Sequence, residues 1–327
     1  MKDIYFEPNY GKLYEKAENG KAVCWQYEGE EGIVSHQFIL REIPICVEDG
    51  PWYDIITPYG YGGPVVEKVN KNYDIEQLTT AFERQFLNYC QENKIVSEFV
   101  RFHPLIKNAL DFMCIYKAQH IRQTLGTNLK EFENPVESEF SKSCRKTIRQ
   151  ALKKGITWKI VQAPSDLTTF REIYCSTMER NDANEYYYFD DEYFSDCLKF
   201  FKENILYVEA VYEGRTVAAG LYFLYDKTIH VHLSGTLSDY LHLSPAYILK
   251  YATTVWGKEK GYHTIHYGGG RSNDINDALY QFKKKFSQNT EFDFYIGKKI
   301  WNHEIYNKLC NIVNVENNQG FFPAYRV

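Results

Sequence analysis

Hydrophobic and polar positions divide the chain into two successive runs of predicted strands and helices. In the first run, Tyr5–Tyr14 is polar and turn-rich, and apolar residues at helical spacing predict one covering helix over Ile75–Asn93. Alternating or continuous apolar patterns predict the strands of this run, which are Lys21–Tyr27, Ile33–Ile43, Trp52–Thr57, Val96–Phe102, Phe112–Tyr116 and His120–Leu125. The first run therefore predicts a mixed sheet with a helix packed on it.

The second run contains more helices and a three-strand meander. Its predicted helices are Phe140–Gly155, Leu167–Arg180, Asp190–Asn204, a helix opened by Ser244 as N-cap and Pro245 as first residue, and Asp277–Phe286. Its predicted strands are Thr157–Gln162, Leu206–Tyr212, Thr216–Leu224, Thr228–Ser234, His263–Tyr267 and Glu291–Ile296. The order is strand, helices, meander, helix, strand, helix, strand.

The junction between the two runs is acidic and contains a proline, Pro135, within Glu131–Glu139. We therefore predict an α/β (α+β) protein of two tandem domains, each a mixed sheet covered by helices. The N-terminal domain spans residues 1–133 and is completed by residues 300–327, and the C-terminal domain spans residues 134–299. The stretch Ile300–Val327 is too apolar to be a loose tail, so we expect it to pack on the first domain.

Composition narrows the class of protein. The 327 residues are 44% hydrophobic and carry a net charge of −5, so an anion site must be a local patch. Eight cysteines lack zinc-ligand spacing, which predicts no metal site and favours reduced thiols in a cytoplasmic protein. The N-terminus lacks signal-peptide features and no long apolar run occurs, so we expect no membrane insertion.

The three glycines Gly268–Gly270 follow a predicted strand and precede a predicted helix. No Gly-Lys-Ser/Thr sequence follows them, and they do not match GxGxxG, so they are not a known phosphate loop. The simplest interpretation is a tight exit from the strand with positive φ. Gly269 and Gly270 also let a substrate lie close to the backbone, and the two roles are compatible.

The helix after the glycines places a lysine on its apolar side. Leu279, Phe282 and Phe286 fall on one stripe, and Lys283 lies within that stripe, while Lys284 points elsewhere. An ammonium on an apolar face is costly to desolvate unless an anion meets it. Lys283 either extends to the domain edge as an amphipathic side chain or places its charge in an interdomain cleft.

A second basic feature is the helix within Phe140–Gly155. Its basic face carries Arg145, Lys146, Arg149 and Lys153. Such a face is often merely solvated, but in a chain of net charge −5 it is also a candidate site for a polyanionic donor.

Two aromatic segments suit the wall of a groove. Met178–Phe189 combines Arg180 with four consecutive aromatic residues that include Tyr187 and Tyr188, and Tyr59 and Tyr61 lie in the loop Pro58–Pro64. His232 shares a strand face with His230, which packing within a sheet also explains. Asp274 and Asp277 are expected to serve as turn and helix-cap residues.

Three segments carry a resemblance to a known family: YDIITPYGYGGP, SCRKTIRQALKKGI and IHYGGG…DALYQFKKKFS. With their order and spacing, the chain resembles the Fem-type aminoacyltransferases and their relatives among tandem-GNAT proteins over nearly its whole length, and the element order of the second half resembles the GNAT fold. Characterised members of that family transfer an amino acid from aminoacyl-tRNA to an amine of a peptidoglycan precursor. The long helical arm of some members has no counterpart here.

The resemblance implies roles for particular residues. The Phe-Lys pair of the family's closing helix matches Phe282 and Lys283, which are therefore the catalytic candidates. Arg180 and Tyr188 are loose counterparts of the residues that hold the precursor. The full set of expected substrate-binding residues is Arg180, Tyr188, Tyr187, His232, Gly269, Gly270, Tyr59 and Tyr61.

The sequence leaves two classes of donor substrate open, aminoacyl-tRNA and acyl-CoA. GNAT enzymes that use acyl-CoA grip its pyrophosphate with a glycine-rich turn before a helix, whereas this chain has DYLHLSPAYIL at Asp239–Leu249, without glycine and with Pro245. We therefore rank aminoacyl-tRNA above acyl-CoA as donor. An inactive binding module is a further alternative. No histidine or acid is an obvious base, so the group that deprotonates the acceptor amine stays open.

Overall fold

The computed structural model describes residues 3–47, 50–315 and 320–326, and it divides the chain into two compact units. Unit 1 comprises Met1–Arg122 and Asp293–Val327, and unit 2 comprises Gln123–Phe292. The chain leaves unit 1 within one strand and returns to it within another, so these boundaries fall inside strands. The domain limits expected from the sequence, at residues 133 and 299, were placed at composition changes and stay predictions.

Unit 1 is a mixed sheet with a long helix packed on it. In chain order its elements are α1 (Pro8–Lys12), β1 (Gly20–Glu28), β2 (Gly32–Glu42), β3 (Tyr53–Ile56), β4 (Val65–Val69), α2 (Ile75–Glu92), β5 (Ile95–Arg101) and α3 (Met113–Tyr116). The next strand, β6 (Gln119–Asn128), leads into unit 2. The strands of unit 1 are ordered β1-β2-β3-β5, and β4 pairs with β2 at the side of this order.

Unit 2 contains a six-stranded mixed sheet between helices. Its elements are α4 (Pro135–Glu139), α5 (Lys142–Lys153), β7 (Thr157–Gln162), α6 (Thr168–Arg180), α7 (Asp191–Phe201), β8 (Ile205–Tyr212), β9 (Arg215–Tyr225), β10 (Thr228–Thr236), α8 (Pro245–Glu259), β11 (Thr264–Gly268) and α9 (Ala278–Lys284). The strand order is β6-β11-β10-β9-β8-β7. Only β10 and β11 run parallel; the other pairs are antiparallel.

The chain then returns to unit 1 through β12 (Glu291–Ile300) and ends in α10 (His303–Ile312) and a short 3-10 turn. Ile296–Ile300 of β12 pairs antiparallel with β5. Leu309 of α10 is fully buried and clusters with Ile43, Val96 and Tyr325. The C-terminal segment thus contributes core residues to unit 1.

Two buried acids in unit 1 tie this C-terminal segment in place. Glu98 accepts a hydrogen bond from the indole of Trp301 at 3.0 Å and lies 2.6 Å from Nε2 of His36. Asp54 receives hydrogen bonds from the guanidinium of Arg326 and from that of Arg41. A buried carboxylate is tolerated only when such donors surround it, so the last residues of the chain complete the polar interior of unit 1.

Local signals explain most of the elements. Asp74 and Gln77 form a capping box at the start of α2, and the predicted apolar stripe of α2 is buried at Leu78, Phe82 and Phe86. In α5, the Ser141 side chain caps the helix by accepting from the amide of Cys144.

One expectation about local structure was wrong, and the structure adds three details to the others. Phe112–Tyr116 is not a strand, because its apolar residues turn into the short helix α3, and a short apolar run does not distinguish the two. The turn-rich N-terminus contains α1 and buries Tyr10 and Tyr14. Strand β4 was not predicted. Ser244 is the N-cap of α8 as expected, but its backbone is left-handed and its side chain makes no capping hydrogen bond.

The state of the cysteines and the character of the helices can be compared with the expectations from composition. All eight thiols are free, and four of them are buried: Cys90, Cys144, Cys197 and Cys310. In the described part of the chain, none of the helices has the length and apolar character needed to cross a membrane.

We predict that the buried face of α10 stabilises unit 1. Leu309→Ala removes a fully buried side chain and should lower the free energy of unfolding by about 2–5 kcal/mol, because it leaves a cavity. Ile312→Ala on the same helix removes a side chain that is 56% exposed and should change it by less than about 0.5 kcal/mol. Denaturant unfolding measures both, and equal effects would contradict this packing.

Candidate active site

The three glycines at the end of β11 have different roles in unit 2. Gly268 has φ 72°, which only glycine adopts without strain. A Cβ on Gly270 would lie 2.5 Å from Oδ1 of Asp277, the residue whose side chain caps α9 by accepting from the amide of Tyr280. The Gly269 carbonyl accepts a hydrogen bond from Lys283. The segment is thus a strand exit shaped by its glycines, and Asp277 is the helix cap expected from the sequence.

Lys283 is turned back toward this strand exit. Its Nζ donates to the Gly269 carbonyl oxygen at 2.6 Å, and its side chain is partly buried. Its two neighbours point elsewhere, as the helical spacing predicts: Lys284 forms an ion pair with Glu291, and Lys285 donates to the Tyr247 hydroxyl at 3.0 Å. The ammonium of Lys283 is therefore fixed by a main-chain carbonyl at the end of β11, where it can stabilise developing negative charge.

Phe282 positions α9 against the start of α8. Its ring lies 5.3 Å from that of Tyr247 and 5.2 Å from that of Phe286, in edge-to-face contacts. Phe286 is fully buried and also contacts Phe140 at 5.1 Å. This aromatic cluster holds the helix that carries Lys283, because edge-to-face pairs add specific geometry to simple burial.

A second lysine lies in the same region and was missed from the sequence. Lys250 of α8 is only 5% exposed, with its Nζ 5.2 Å from the ring centre of Tyr267 and 5.6 Å from that of Tyr222. Burial, and then the charge of Lys283, lower the pKa of its amine to about 7. The sequence contained one indication that Lys250 is buried. Lys250 shares a helical stripe with Thr253 and Gly257, and small residues on a stripe indicate close packing on a sheet.

His232 lies at an irregularity of β10, where the pairing with β9 shifts between Val231 and Leu233. Its Nε2 is 2.5 Å from the Tyr193 hydroxyl, and its ring is 4.6 Å from that of Phe223. Burial, and then His230, lower the pKa of His232 to about 3, so this imidazole is neutral at physiological pH.

Arg180 holds the end of the same strand. Its guanidinium donates to the Thr236 carbonyl at 2.5 Å and to the Ser238 hydroxyl at 3.3 Å. Tyr187 and Tyr188 follow in a 3-10 turn and its end, and their side chains are 39% and 41% exposed. The structure thus brings Arg180 to the end of β10 and leaves two neighbouring phenols at the surface, where they are accessible to a substrate.

The basic face of α5 is mostly exposed but not uniform. Lys146, Arg149 and Lys153 are exposed. Arg145 differs, because its guanidinium forms an ion pair with Glu137 at 3.3 Å and donates to the Phe140 carbonyl at 2.6 Å. Arg145 therefore joins α4 to α5, and the charges that remain available to a polyanion are the other three.

The remaining candidates, Tyr59 and Tyr61, lie in unit 1. The carbonyl of Tyr59 accepts from the Tyr10 hydroxyl at 2.9 Å, and the ring of Tyr61 packs 5.6 Å from that of His103. The Asn108 side-chain amide donates to the carbonyls of Gly62 and Pro64, both at 2.9 Å. This loop is held rigidly within unit 1 by these contacts.

Comparison with known proteins identifies the second unit. The family model described as acetyltransferase (GNAT) domain matches residues 138–284. The matched residues lie within unit 2. The GNAT domain contains α8, β11 and α9, and with them both Lys250 and Lys283. The chain is accordingly an acyltransferase.

The fold of the whole chain is also found among solved structures. It resembles the crystal structure of FemX with a TM-score of 0.69 at 13% identity, over 94% of each chain. It also resembles L-PGS from Bacillus licheniformis with a TM-score of 0.57 at 14% identity, over 96% of this chain and 99% of that one. No curated protein matches the sequence. The α/β class with two GNAT-like domains and the Fem-like resemblance are confirmed.

We predict that Lys283 contributes to the chemical step of this GNAT domain. Lys283→Met removes the ammonium held on Gly269 and should lower kcat/KM by about two orders of magnitude, as for loss of one charge-stabilising donor. The fold should survive, since methionine keeps the length of the side chain and adds no buried charge. Initial rates and thermal melts measure the two effects.

Lys284→Met is the matched control. It removes only the partly exposed ion pair with Glu291 and should change the rate by less than about twofold, because surface ion pairs contribute about 0–1 kcal/mol. Equal, small losses in both variants would mean that Lys283 is an ordinary surface lysine.

Proposed function

We propose that this acyltransferase moves an aminoacyl group from aminoacyl-tRNA to an amine of a cell-wall peptide precursor, in the cytoplasm. Two features support the proposal: the similarity of the fold to FemX over 94% of both chains, and the three Fem-type sequence segments. The observation that favours this donor over acyl-CoA is the structure at the start of α8.

The start of α8 is poorly suited to a pyrophosphate. Oligophosphates are commonly held by successive main-chain amides of a glycine-rich loop at a helix N-terminus. Here Ser244 and Pro245 form the turn, Pro245 has no N–H, and the amide of Tyr247 is already 3.1 Å from the Ser244 carbonyl oxygen. The turn therefore offers fewer free amides than a glycine-rich loop would, which favours a donor held in another way.

The exposed basic face of α5 suits that donor. Its lysines and arginine lie on one side of a helix in a chain of net charge −5, so they form a local positive patch. A tRNA presents many phosphates, and its affinity for such a patch comes largely from released counterions. We assign Lys146, Arg149 and Lys153 to contacts with the donor.

The second candidate is an N-acyltransferase that uses acyl-CoA on a small-molecule or sugar amine. It is favoured by the family match itself, which is to an acetyltransferase (GNAT) domain. Both candidates require the same chemistry: a polarised carbonyl, an amine that loses its proton, and a leaving group whose charge is stabilised. They differ in how the donor is bound.

The first experiment offers both donors to the purified protein. The protein and a nucleotide-linked muramyl pentapeptide are incubated in one reaction with tRNAs charged with a labelled amino-acid mixture, and in a second reaction with acetyl-CoA. The mass of each product is then measured by mass spectrometry. We expect a mass increase of one aminoacyl residue, abolished in Lys283→Met. An acetylated product, with transfer from acetyl-CoA alone, would establish the second candidate instead.

We predict that the basic face of α5 governs donor affinity. Lys146→Glu with Arg149→Glu should weaken binding of tRNA and reduce the slope of log affinity against log salt by up to about two, because two phosphate contacts are lost. Filter binding or fluorescence anisotropy across salt concentrations measures this slope.

The control variant reverses the same number of exposed charges on a different helix. Lys199→Glu with Lys202→Glu, at the end of α7, changes the net charge equally and should leave the slope unchanged. If the two double variants had the same slope of log affinity against log salt, the basic face of α5 would be a solvated surface with no role in donor binding.

A further inference from the structure

Lys250 is a buried amine that no role described so far explains. It lies in the middle of α8, on the stripe that includes Thr253, Thr254 and Gly257, all of which are buried. A Cβ on Gly257 would lie 2.8 Å from Ile229, so this stripe packs directly on the sheet. The side chain of Lys250 is thereby directed at the strands and is only 5% exposed.

The surroundings of the Lys250 amine are two aromatic faces. Tyr222 of β9 and Tyr267 of β11 lie within 5.6 Å of the amine, measured to their ring centres. Within the described ranges, no carboxylate lies within 4.0 Å of the amine and no hydrogen bond to it is formed. A buried ammonium normally has such a partner, so its absence in a packed interior indicates a group kept ready to lose its proton.

The strands below Lys250 separate at this point. In the described part of the chain, the parallel pairing of β10 with β11 covers three positions and ends at His230 and His266. Tyr267 is the next residue of β11, and Tyr222 pairs with Val231, the next residue of β10. The rings beside the Lys250 amine therefore belong to the positions at which the pairing of β10 with β11 has ended.

A second lysine acts on the Lys250 amine. Lys283 on α9 is the cation that acts on Lys250, and burial together with this neighbour lowers the pKa of the Lys250 amine to about 7. Lys285 is occupied by the Tyr247 hydroxyl. Glu139 of α4, which acts on the Tyr267 phenol, is buried and accepts from the amide of Asn128 at 3.0 Å.

We propose that Lys250 is the general base of this acyltransferase, its neutral amine accepting the proton that the acceptor amine loses as it attacks the donor carbonyl. The proposal rests on acyl transfer at this site and holds for either donor. The two lysines then have different roles: Lys283, fixed on the Gly269 carbonyl, stabilises negative charge, while Lys250 exchanges protons.

The proposed reaction needs no reagent other than the donor and the acceptor. The acceptor nitrogen forms a bond to the donor carbonyl carbon, and one proton passes from that nitrogen to Nζ of Lys250. The bond from the carbonyl carbon to the leaving oxygen, or to sulfur in a thioester, then breaks. The Lys250 ammonium returns its proton to that leaving atom, which regenerates the neutral amine.

The decisive measurement is the pH–rate profile of three proteins. In the wild type, kcat/KM should rise with pH and level off above about 7, since only the neutral amine accepts a proton. Lys250→Met should lose about 10²–10³-fold at neutral pH and lack this inflection, because the base is removed. Lys250→Arg keeps a cation that does not deprotonate and should be equally impaired.

The matched control lies on the same helix. Lys258 donates to the carbonyls of Leu129 and Phe132, both at 2.8 Å, so its role is structural. Lys258→Met should lower thermal stability and leave the inflection in the pH–rate profile unchanged. A Lys250→Arg enzyme with near wild-type activity would overturn the proposal, because charge rather than proton transfer would then be the contribution of Lys250.

A second readout is independent of any reaction. In protein labelled with ¹³C-lysine, the Cε signal that disappears in Lys250→Met should titrate near pH 7. A titration near the ordinary lysine value of about 10.4 would refute the proposal. If Lys250 titrates near 7 but no aminoacyl-tRNA supports transfer, the donor assignment fails instead, and the acyl-CoA reaction supplies the pH–rate profile.

Discussion

The electrostatic cost of burying lysine amines is the constraint on which the GNAT domain's site depends. An ammonium deprived of water must find a partner or give up its proton. Lys283 finds one in the carbonyl of Gly269, whereas Lys250 lies against the faces of Tyr222 and Tyr267. Two lysines in one region therefore differ, since one donates to a main-chain carbonyl and burial lowers the pKa of the other to about 7.

The geometry of the main chain makes this difference possible. Gly268 turns the chain with a positive φ, which brings the next carbonyl into reach of Lys283. The capped start of α9 approaches Gly270 so closely that no side chain fits there. On the other side, the small residues of α8 let that helix approach the sheet and enclose Lys250. The glycines thus act on the site through the positions of two helices.

In unit 1, buried acids likewise need hydrogen-bond partners to offset the cost of desolvation. Glu98 and Asp54 are each about 1% exposed, and both draw donors from the end of the chain, from Trp301 and Arg326 respectively. These interactions explain why the C-terminal residues fold with the first part of the chain. They also mean that the polar interior of unit 1 is completed only when the last residues are in place.

The amino-acid sequence by itself determined most of the element order, the two-part organisation and the stripe that carries Phe282 and Lys283. These follow from local periodicity and capping, which act over a few residues. The Fem-like resemblance also came from residues alone. Phe112–Tyr116 was wrong for the same reason, since a five-residue apolar run satisfies both a strand and a buried turn.

Only the tertiary structure decided which charged groups are available for chemistry. Arg145 looks equivalent to Arg149 in the sequence, but its guanidinium is bound to Glu137 and the Phe140 carbonyl. Lys250 looks like a surface residue of α8, yet it is enclosed by rings from β9 and β11. Desolvation and pairing depend on residues far away in the chain, and no local pattern contains that information.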